Sequence, residues 1–290
     1  MLEITESLIN FWINYGDART SKWFLTKSLF PIFVIIFIYL LLVLVILPKY
    51  LNSRKYENVR KLLAFYYFIH SGISLVFLVT HMYIWYLSKE NMWCMKLKQD
   101  FEGIHYYGAI FMYFWLWFKI TEMFETILMI FIYGRAPIFQ YLHHSLHPLA
   151  LVIGLHFSPG GTTSIWGCIN NIEHVILYFI FALRNISEKF KKSSNRWFKK
   201  FHLIGSINSL VVALVIFLLL EKGPNCDPYP IKLYTIICIF IFLCASIGCR
   251  WGYISQDDAF GKTKFVIFIN LGLKNLQKNL VKKTFIKFRN

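Results

Sequence analysis

Long uncharged apolar runs, separated by short polar stretches, set the pattern of this chain. Ser28 to Pro48 and Leu62 to Ser88 are each long enough to cross a hydrocarbon core of about 30 Å as helix. Further runs of the same kind predict helical spans at 28–48, 62–87, 107–133, 137–157, 164–183, 203–220 and 233–249. The uncharged stretch from Ala136 to Ile172 is too long for one helix and divides at the turn-forming cluster Ser158-Pro159-Gly160-Gly161. Six helices with one long bent element is the alternative. The expected fold is an all-α membrane protein of seven transmembrane helices.

Composition agrees and narrows the class. Of 290 residues, 57% are hydrophobic, 19% aromatic and only 16% charged, which excludes disorder, a small disulfide scaffold and an ordinary cytosolic enzyme. The net charge of +16 finds its explanation in the excess of Lys and Arg that cytoplasmic loops carry, and no nucleic-acid motif accompanies it. With the amino terminus outside, the pieces 49–61, Arg135, 184–202 and 250–290 hold 22 of the 31 basic residues and four acids, whereas the opposite side carries eight of each. The expected topology is therefore amino terminus luminal and carboxyl terminus cytosolic. A cleaved signal peptide is not expected, because the first apolar run starts near residue 28 and is too long for an h-region. The chain divides into a luminal segment 1–27, a helical domain 28–250 and a basic cytosolic tail 251–290. In that tail, Phe265 to Lys283 reads as an amphipathic interfacial helix, with a disordered tail as the alternative.

Topology also sorts the six cysteines. Cys168, Cys238, Cys244 and Cys249 fall within spans, and Cys94 and Cys226 lie in two luminal loops, where an oxidising compartment permits a Cys94–Cys226 disulfide. Two free thiols are the alternative. The sequon Asn185-Ile186-Ser187 falls on the cytosolic side and should stay unmodified.

Ionisable groups inside spans are costly and mark sites by default. In the third span Lys119, Glu122, Glu125 and Thr126 share one helix face, within an arc of about 120°. Gln140, His143, His144 and His147, at i, i+3, i+4 and i+7, share a face of the fourth. In the fifth, Asn170, His174 and Tyr178 follow the i, i+4, i+8 rule, with Glu173 beside them. Span direction puts all three clusters in the middle or cytosolic half, able to face one chamber. That chamber opens beside Arg135, Arg184, Lys189, Lys191, Lys192, Lys199 and Lys200, a density of charge suited to an anionic headgroup or a phosphorylated cofactor, and equally to ordinary positive-inside topology.

These clusters resemble the motifs of the ELO family of very-long-chain fatty acid elongases, the 3-ketoacyl-CoA synthases of the endoplasmic reticulum, over roughly residues 28 to 250. Lys119-Ile120-Thr121-Glu122-Met123-Phe124-Glu125-Thr126 is similar to K-x-x-E-x-x-D-T, with Glu125 in place of Asp. Gln140-Tyr141-Leu142-His143-His144 resembles the histidine box in its Q-x-x-H-H form, seen in several elongases that act on polyunsaturated chains; His147 is then an extra residue. Asn170 through Tyr178 resembles N-x-x-x-H-x-x-M-Y with Leu177 in place of Met, and Ala182-Leu183-Arg184 continues the match. Asn225-Cys226-Asp227-Pro228 is like the family's Cys-containing loop, whereas Leu203, Ser206 and Ser209 stand where the family shows a Thr and Gln pattern. No dilysine retention signal occupies the last four residues.

The resemblance implies condensation of an acyl-CoA with malonyl-CoA to a 3-ketoacyl-CoA two carbons longer, with release of CO2 and CoA, in a catalytic chamber with an acyl tunnel. His143, His144, His174, Gln140 and Asn170 become the expected catalytic set. Lys119, Glu122, Glu125, Thr126, Tyr178, Arg135, Arg184 and His147 become the substrate-binding set. No metal and no bound cofactor are expected, and the partners are acyl-CoA, malonyl-CoA, membrane lipid and the reductases and dehydratase of an elongation cycle, with a homodimer left open. A nicotinamide-binding fingerprint is missing, so reduction falls to other enzymes. Two rivals stand beside this reading. A membrane di-iron desaturase or hydroxylase needs about eight or more grouped histidines, but here His70, His81, His105, His156 and His202 are scattered. A transporter or purely structural membrane protein would use the same clusters to pair helices or line a path, without the repeat symmetry transport folds often show.

Overall fold

The structure, a computed structural model, describes residues 10–51, 56, 58–90, 98–160, 164–198, 200–201, 210 and 214. Regular structure among these residues is entirely helical. Helix α1 runs Phe30–Leu51, α2 Val59–Ser88, α3 Gly103–Thr121, α4 Met123–Tyr133, α5 Ile138–Phe157 and α6 Ser164–Ile186. A further helix, α7, covers 188–198. Two of them, α1 and α2, are long and apolar enough to cross a membrane, and they turn large apolar side chains such as Phe30, Phe37, Phe65 and Val76 outward. The other long helices carry the polar clusters inward. The expected spans 203–220 and 233–249, the tail 251–290 and the Cys94–Cys226 pair lie outside the described residues, whereas Cys168 is a buried free thiol.

The expected division of Ala136 to Ile172 holds, since α5 stops at Phe157 and α6 starts at Ser164. The expected single span 107–133 is interrupted instead. Glu122 separates α3 from α4, and the Glu125 N–H bonds the Glu122 carbonyl three residues back at 3.1 Å. A tightened turn brings i and i+3 side chains almost into line, here Glu122 and Glu125, and one turn earlier Lys119 Nζ meets Glu122 Oε1 at 2.6 Å. Helix α4 ends at Gly134, whose φ of +74° suits a residue without Cβ and whose N–H caps the Ile130 carbonyl at 2.8 Å.

Prolines bend the other two helices of the core. Pro48 lacks the N–H that would serve the carbonyl one turn back, and α1 widens just before it into a π turn over Leu42–Ile46. Pro148, inside α5, removes the intrahelical donor for the His144 carbonyl. Helices α2 and α6 pack closely along their length because small residues line the seam. Ser71 Oγ donates to the Val175 carbonyl at 2.9 Å, and a Cβ on Gly167 would lie 2.7 Å from the His81 ring.

One part of the fold was not anticipated. The segment before α1, expected to be a plain luminal stretch, folds back as a latch over the adjoining ends of α3 and α5. Asp17 and Arg19 are buried and paired at 2.8 Å. Arg19 also donates to the His105 carbonyl at 3.1 Å and the Pro159 carbonyl at 3.4 Å, and the Asp17 N–H donates to the His156 carbonyl at 2.7 Å. The Trp12 indole stacks on the His156 imidazole, with ring centroids 3.9 Å apart.

Candidate active site

Four helices meet where α3 turns into α4. Lys119, Glu122, Glu125 and Thr126 are all buried there, and an ion placed in such surroundings must be matched by partners at close range. Two carboxylates organise the cluster. Glu122 Oε1 receives Lys119 Nζ and lies 3.5 Å from Nε2 of His174 on α6. His143 and His147 on α5 each bring a ring nitrogen into a group with Glu122 whose donor atoms all lie within 4.8 Å of one another. Glu125 lies 3.4 Å by its Oε2 from Nε2 of His144, and its Oε1 accepts the Tyr67 hydroxyl of α2 at 2.8 Å. Thr126 accepts the Tyr39 hydroxyl of α1 at 2.9 Å.

The histidines are held differently. The Gln140 amide donates to His144 Nε2 at 2.5 Å, which holds that ring from its own helix, and the same nitrogen lies 3.4 Å from Glu125 Oε2. His174 Nδ1 donates to the Asn170 carbonyl at 2.8 Å, which turns its Nε2 towards the cluster, 3.5 Å from Glu122. Tyr178 closes one side, its ring perpendicular to that of His174 with centroids 5.0 Å apart. His143 stands edge-on to both His144 and His147, at 5.5 and 5.3 Å. The arrangement sets imidazole nitrogens beside carboxylates in a buried interior, a setting for nucleophilic and acid–base chemistry. Glu122, His143 and His147 could also ligate a metal ion. Such an ion would share its carboxylate with the Lys119 ammonium, which already supplies positive charge at that point.

The structure thus assembles Lys119, Glu122, Glu125, Thr126, Gln140, His143, His144, His147, Asn170, His174 and Tyr178 around one centre. Arg135 stays exposed at the turn before α5 and does not join them. Arg184 is buried at the far end of α6, where it holds α7. Glu173 is only half-buried, off the main face.

The profile of the ELO family, described as GNS1/SUR4, matches residues 24–249. The chain belongs to the ELO family. Similar proteins include a very long chain fatty acid elongase of Aedes aegypti, 23% identical over 83% of this chain and 69% of its own length. Very long chain fatty acid elongase 7 of Drosophila melanogaster is 26% identical over 89% of this chain and 78% of its own. The rat elongase 7 is 24% identical over 83% and 88%. In this ELO chain the three motif clusters, far apart in sequence, contribute to the same two carboxylate centres.

Sequence reasoning missed several members of the ELO site. Tyr39 and Tyr67 are buried phenols inside apolar runs, and only a long-range partner reveals them. His70, set aside as scattered, is buried against Phe118 at 4.8 Å and Tyr178 at 5.6 Å. Trp115 lies under the Lys119 ammonium, 5.7 Å from centroid to Nζ, and 6.0 Å from the His147 ring. His70 and Trp115 could have been noticed from their helical register, since Ser74 and His81 continue the face of His70 and Lys119 stands one turn after Trp115.

Proposed function

We propose that this chain is a fatty acid elongase that condenses an acyl-CoA with malonyl-CoA, giving a 3-ketoacyl-CoA two carbons longer together with CO2 and CoA. The observation that carries the reading is the convergence of the three ELO motifs on Glu122 and Glu125, with His174 Nε2 3.5 Å from Glu122. His143 or His174 attacks the thioester carbonyl. A nitrogen–carbon bond forms, the carbon–sulfur bond breaks, and the proton that the acyl-imidazolium gives up leaves with the sulfur as CoA thiol. Malonyl-CoA loses CO2, the enolate carbon attacks the acyl-imidazole, and the carbon–nitrogen bond breaks to expel the ring, which takes up one proton from solvent. His144, held by Gln140, acts as a positioning residue, and the Lys119 ammonium offsets negative charge near the reacting atoms.

Around this chemistry the reading places seven spans in the endoplasmic reticulum membrane, amino terminus luminal and carboxyl terminus cytosolic, with an apolar tunnel for the acyl chain. No metal is assigned. Reductases and a dehydratase would complete the cycle. The test is one incubation of purified protein with labelled malonyl-CoA and a panel of saturated and polyunsaturated acyl-CoAs, read by mass spectrometry beside His174→Ala. A 3-ketoacyl-CoA made only by the wild type is the expected result; no product from any acyl-CoA by folded protein overturns the reading.

A further inference from the structure

We propose that a buried polar band, built from Ser74 and His81 of α2, Trp115 of α3 and Asn171 of α6, selects acyl chains that carry a hydroxyl group near the seventh carbon from the thioester. The proposal rests on the acyl-CoA reading above and names a substrate class for it. The register of the α2–α6 seam places the band. Ser71 Oγ bonds the Val175 carbonyl, and a Cβ on Gly167 would meet the His81 ring, so residue number rises along α2 as it falls along α6. Gly167, Asn171 and Val175 follow the i, i+4, i+8 rule on one helix, and Ser74 stands between Ser71 and His81 on the same face of the other. Ser74 and Asn171 thus share the seam. Trp115 closes the band from α3, its ring 3.2 Å from that same Cβ position and its centroid 6.1 Å from that of His81. On its other side the indole meets the His147 ring, 6.0 Å away, so the band adjoins the catalytic cluster.

These groups share an unused bonding capacity. All four residues are buried, yet Ser74 Oγ, both amide atoms of Asn171, Trp115 Nε1 and His81 Nδ1 have no hydrogen-bond partner among the described residues. Trp115 packs among Met112, Leu116, Val152 and Leu155, surroundings in which an unbonded polar group is costly. The set also selects the chemistry of its ligand. The indole N–H only donates, the Asn171 amide donates at one end and accepts at the other, and the Ser74 hydroxyl does both. A chain hydroxyl, donor and acceptor at once, can serve either kind. A double bond offers no donor and only a weak acceptor, and a carboxylate would bring a buried charge that no cation of the band matches. Depth fixes where the hydroxyl belongs. Asn171 and Gly167 precede His174 by three and seven residues on α6, or about 4.5 and 10.5 Å along its axis. With bonds of about 1.5 Å an extended chain gains about 1.3 Å per carbon, so a chain acylated at His174 and running away from the cytosolic end passes the band with roughly carbons 5 to 9.

The test uses full-length protein in nanodiscs, labelled malonyl-CoA and two saturated acyl-CoAs of one chain length, one unsubstituted and one with a single hydroxyl at carbon 7. The readout is the ratio of their kcat/KM values, hydroxylated over unsubstituted, from two-carbon-extended products. An apolar tunnel lowers this ratio below one, because it strips the hydroxyl of water and returns no bond. The band is expected to raise it to about tenfold or more, since a site with buried hydrogen-bonding groups favours the substrate that engages them. Asn171→Leu with Ser74→Ala should bring the ratio below one, and Trp115→Phe, which keeps an aromatic ring and deletes the N–H, should reduce it severalfold. Both substrates meet the same preparation, so partial misfolding of a variant leaves the ratio intact. A wild-type ratio at or below one, with product from the unsubstituted chain, overturns the band and leaves the elongase reading standing. A preference that survives the double substitution also overturns the band. No product from either chain sinks the elongase reading, and calorimetric affinities of the same two acyl-CoAs then decide the band: tighter binding of the hydroxylated chain supports it, equal or weaker binding overturns it.

Discussion

Two buried ion pairs, at opposite extremes of purpose, organise this molecule. In the latch, both Asp17 oxygens are used by Arg19, and the guanidinium spends its remaining donors on backbone carbonyls of His105 and Pro159. At the centre, Lys119 and Glu122 form an equally close pair, yet imidazoles from two other helices crowd the same carboxylate, His174 Nε2 at 3.5 Å and His143 and His147 in a group with it. Nearby, Asn170 Oδ1, His144 Nδ1 and both amide atoms of Asn171 are buried with no partner among the described residues. A saturated polar network rigidifies, whereas a partly satisfied one keeps bonding capacity for something that arrives. The difference tells the two pairs apart without reference to any motif.

Substitutions can break that separation. The largest effect is expected from His174→Ala, which should cut condensation by at least about 10⁴-fold, as nucleophile deletions do elsewhere, with little change in melting temperature; near wild-type product formation would remove His174 from the mechanism. Asp17→Ala leaves Arg19 buried and uncompensated, so stability should fall by roughly 3–5 kcal/mol while turnover per folded molecule holds. A matching loss of turnover, measured alongside thermal unfolding, would mean the latch is part of the site. Tyr67→Phe deletes one hydrogen bond to a charged carboxylate, on the order of 1.5–3 kcal/mol, and should appear chiefly as reduced turnover, because Glu125 is then held less firmly beside the histidines. Gly167→Ala forces a Cβ towards His81 and Trp115 and should cost about 1–3 kcal/mol in stability. Smallest of all is the response to EDTA: activity should be unchanged, and a chelator-sensitive enzyme that recovers with an added divalent ion would make Glu122, His143 and His147 ligands instead.

Much of this was legible in the chain. Periodicity gave the helical faces of Lys119 to Thr126, Gln140 to His147 and Asn170 to Tyr178, and turn chemistry gave the break at Ser158-Pro159-Gly160. What could not be read depends on which helix lies beside which. Tyr67 and Tyr39 look like any aromatic residues of a span until α2 and α1 are laid against α4. Asp17 and Arg19 look like charges on a solvated terminus until α5 supplies carbonyls some 140 residues later. The interruption at Glu122 is hidden for another reason: both sides remain helical, and only the local tightening between Glu122 and Glu125 distinguishes it.

The latch also constrains how the protein is made. Thr20 and Arg19 donate to carbonyls of Leu155 and Pro159, 135 and 140 residues further on, so this closure waits until α5 has emerged. At roughly 5–20 residues per second, the amino-terminal segment waits on the order of ten seconds, already synthesised and with a charge pair destined for burial, for the helix ends that receive it. Its fastening marks the completion of the first five helices, which makes protease protection of residues 10–27 in nascent chains of increasing length a clock for the assembly of the bundle.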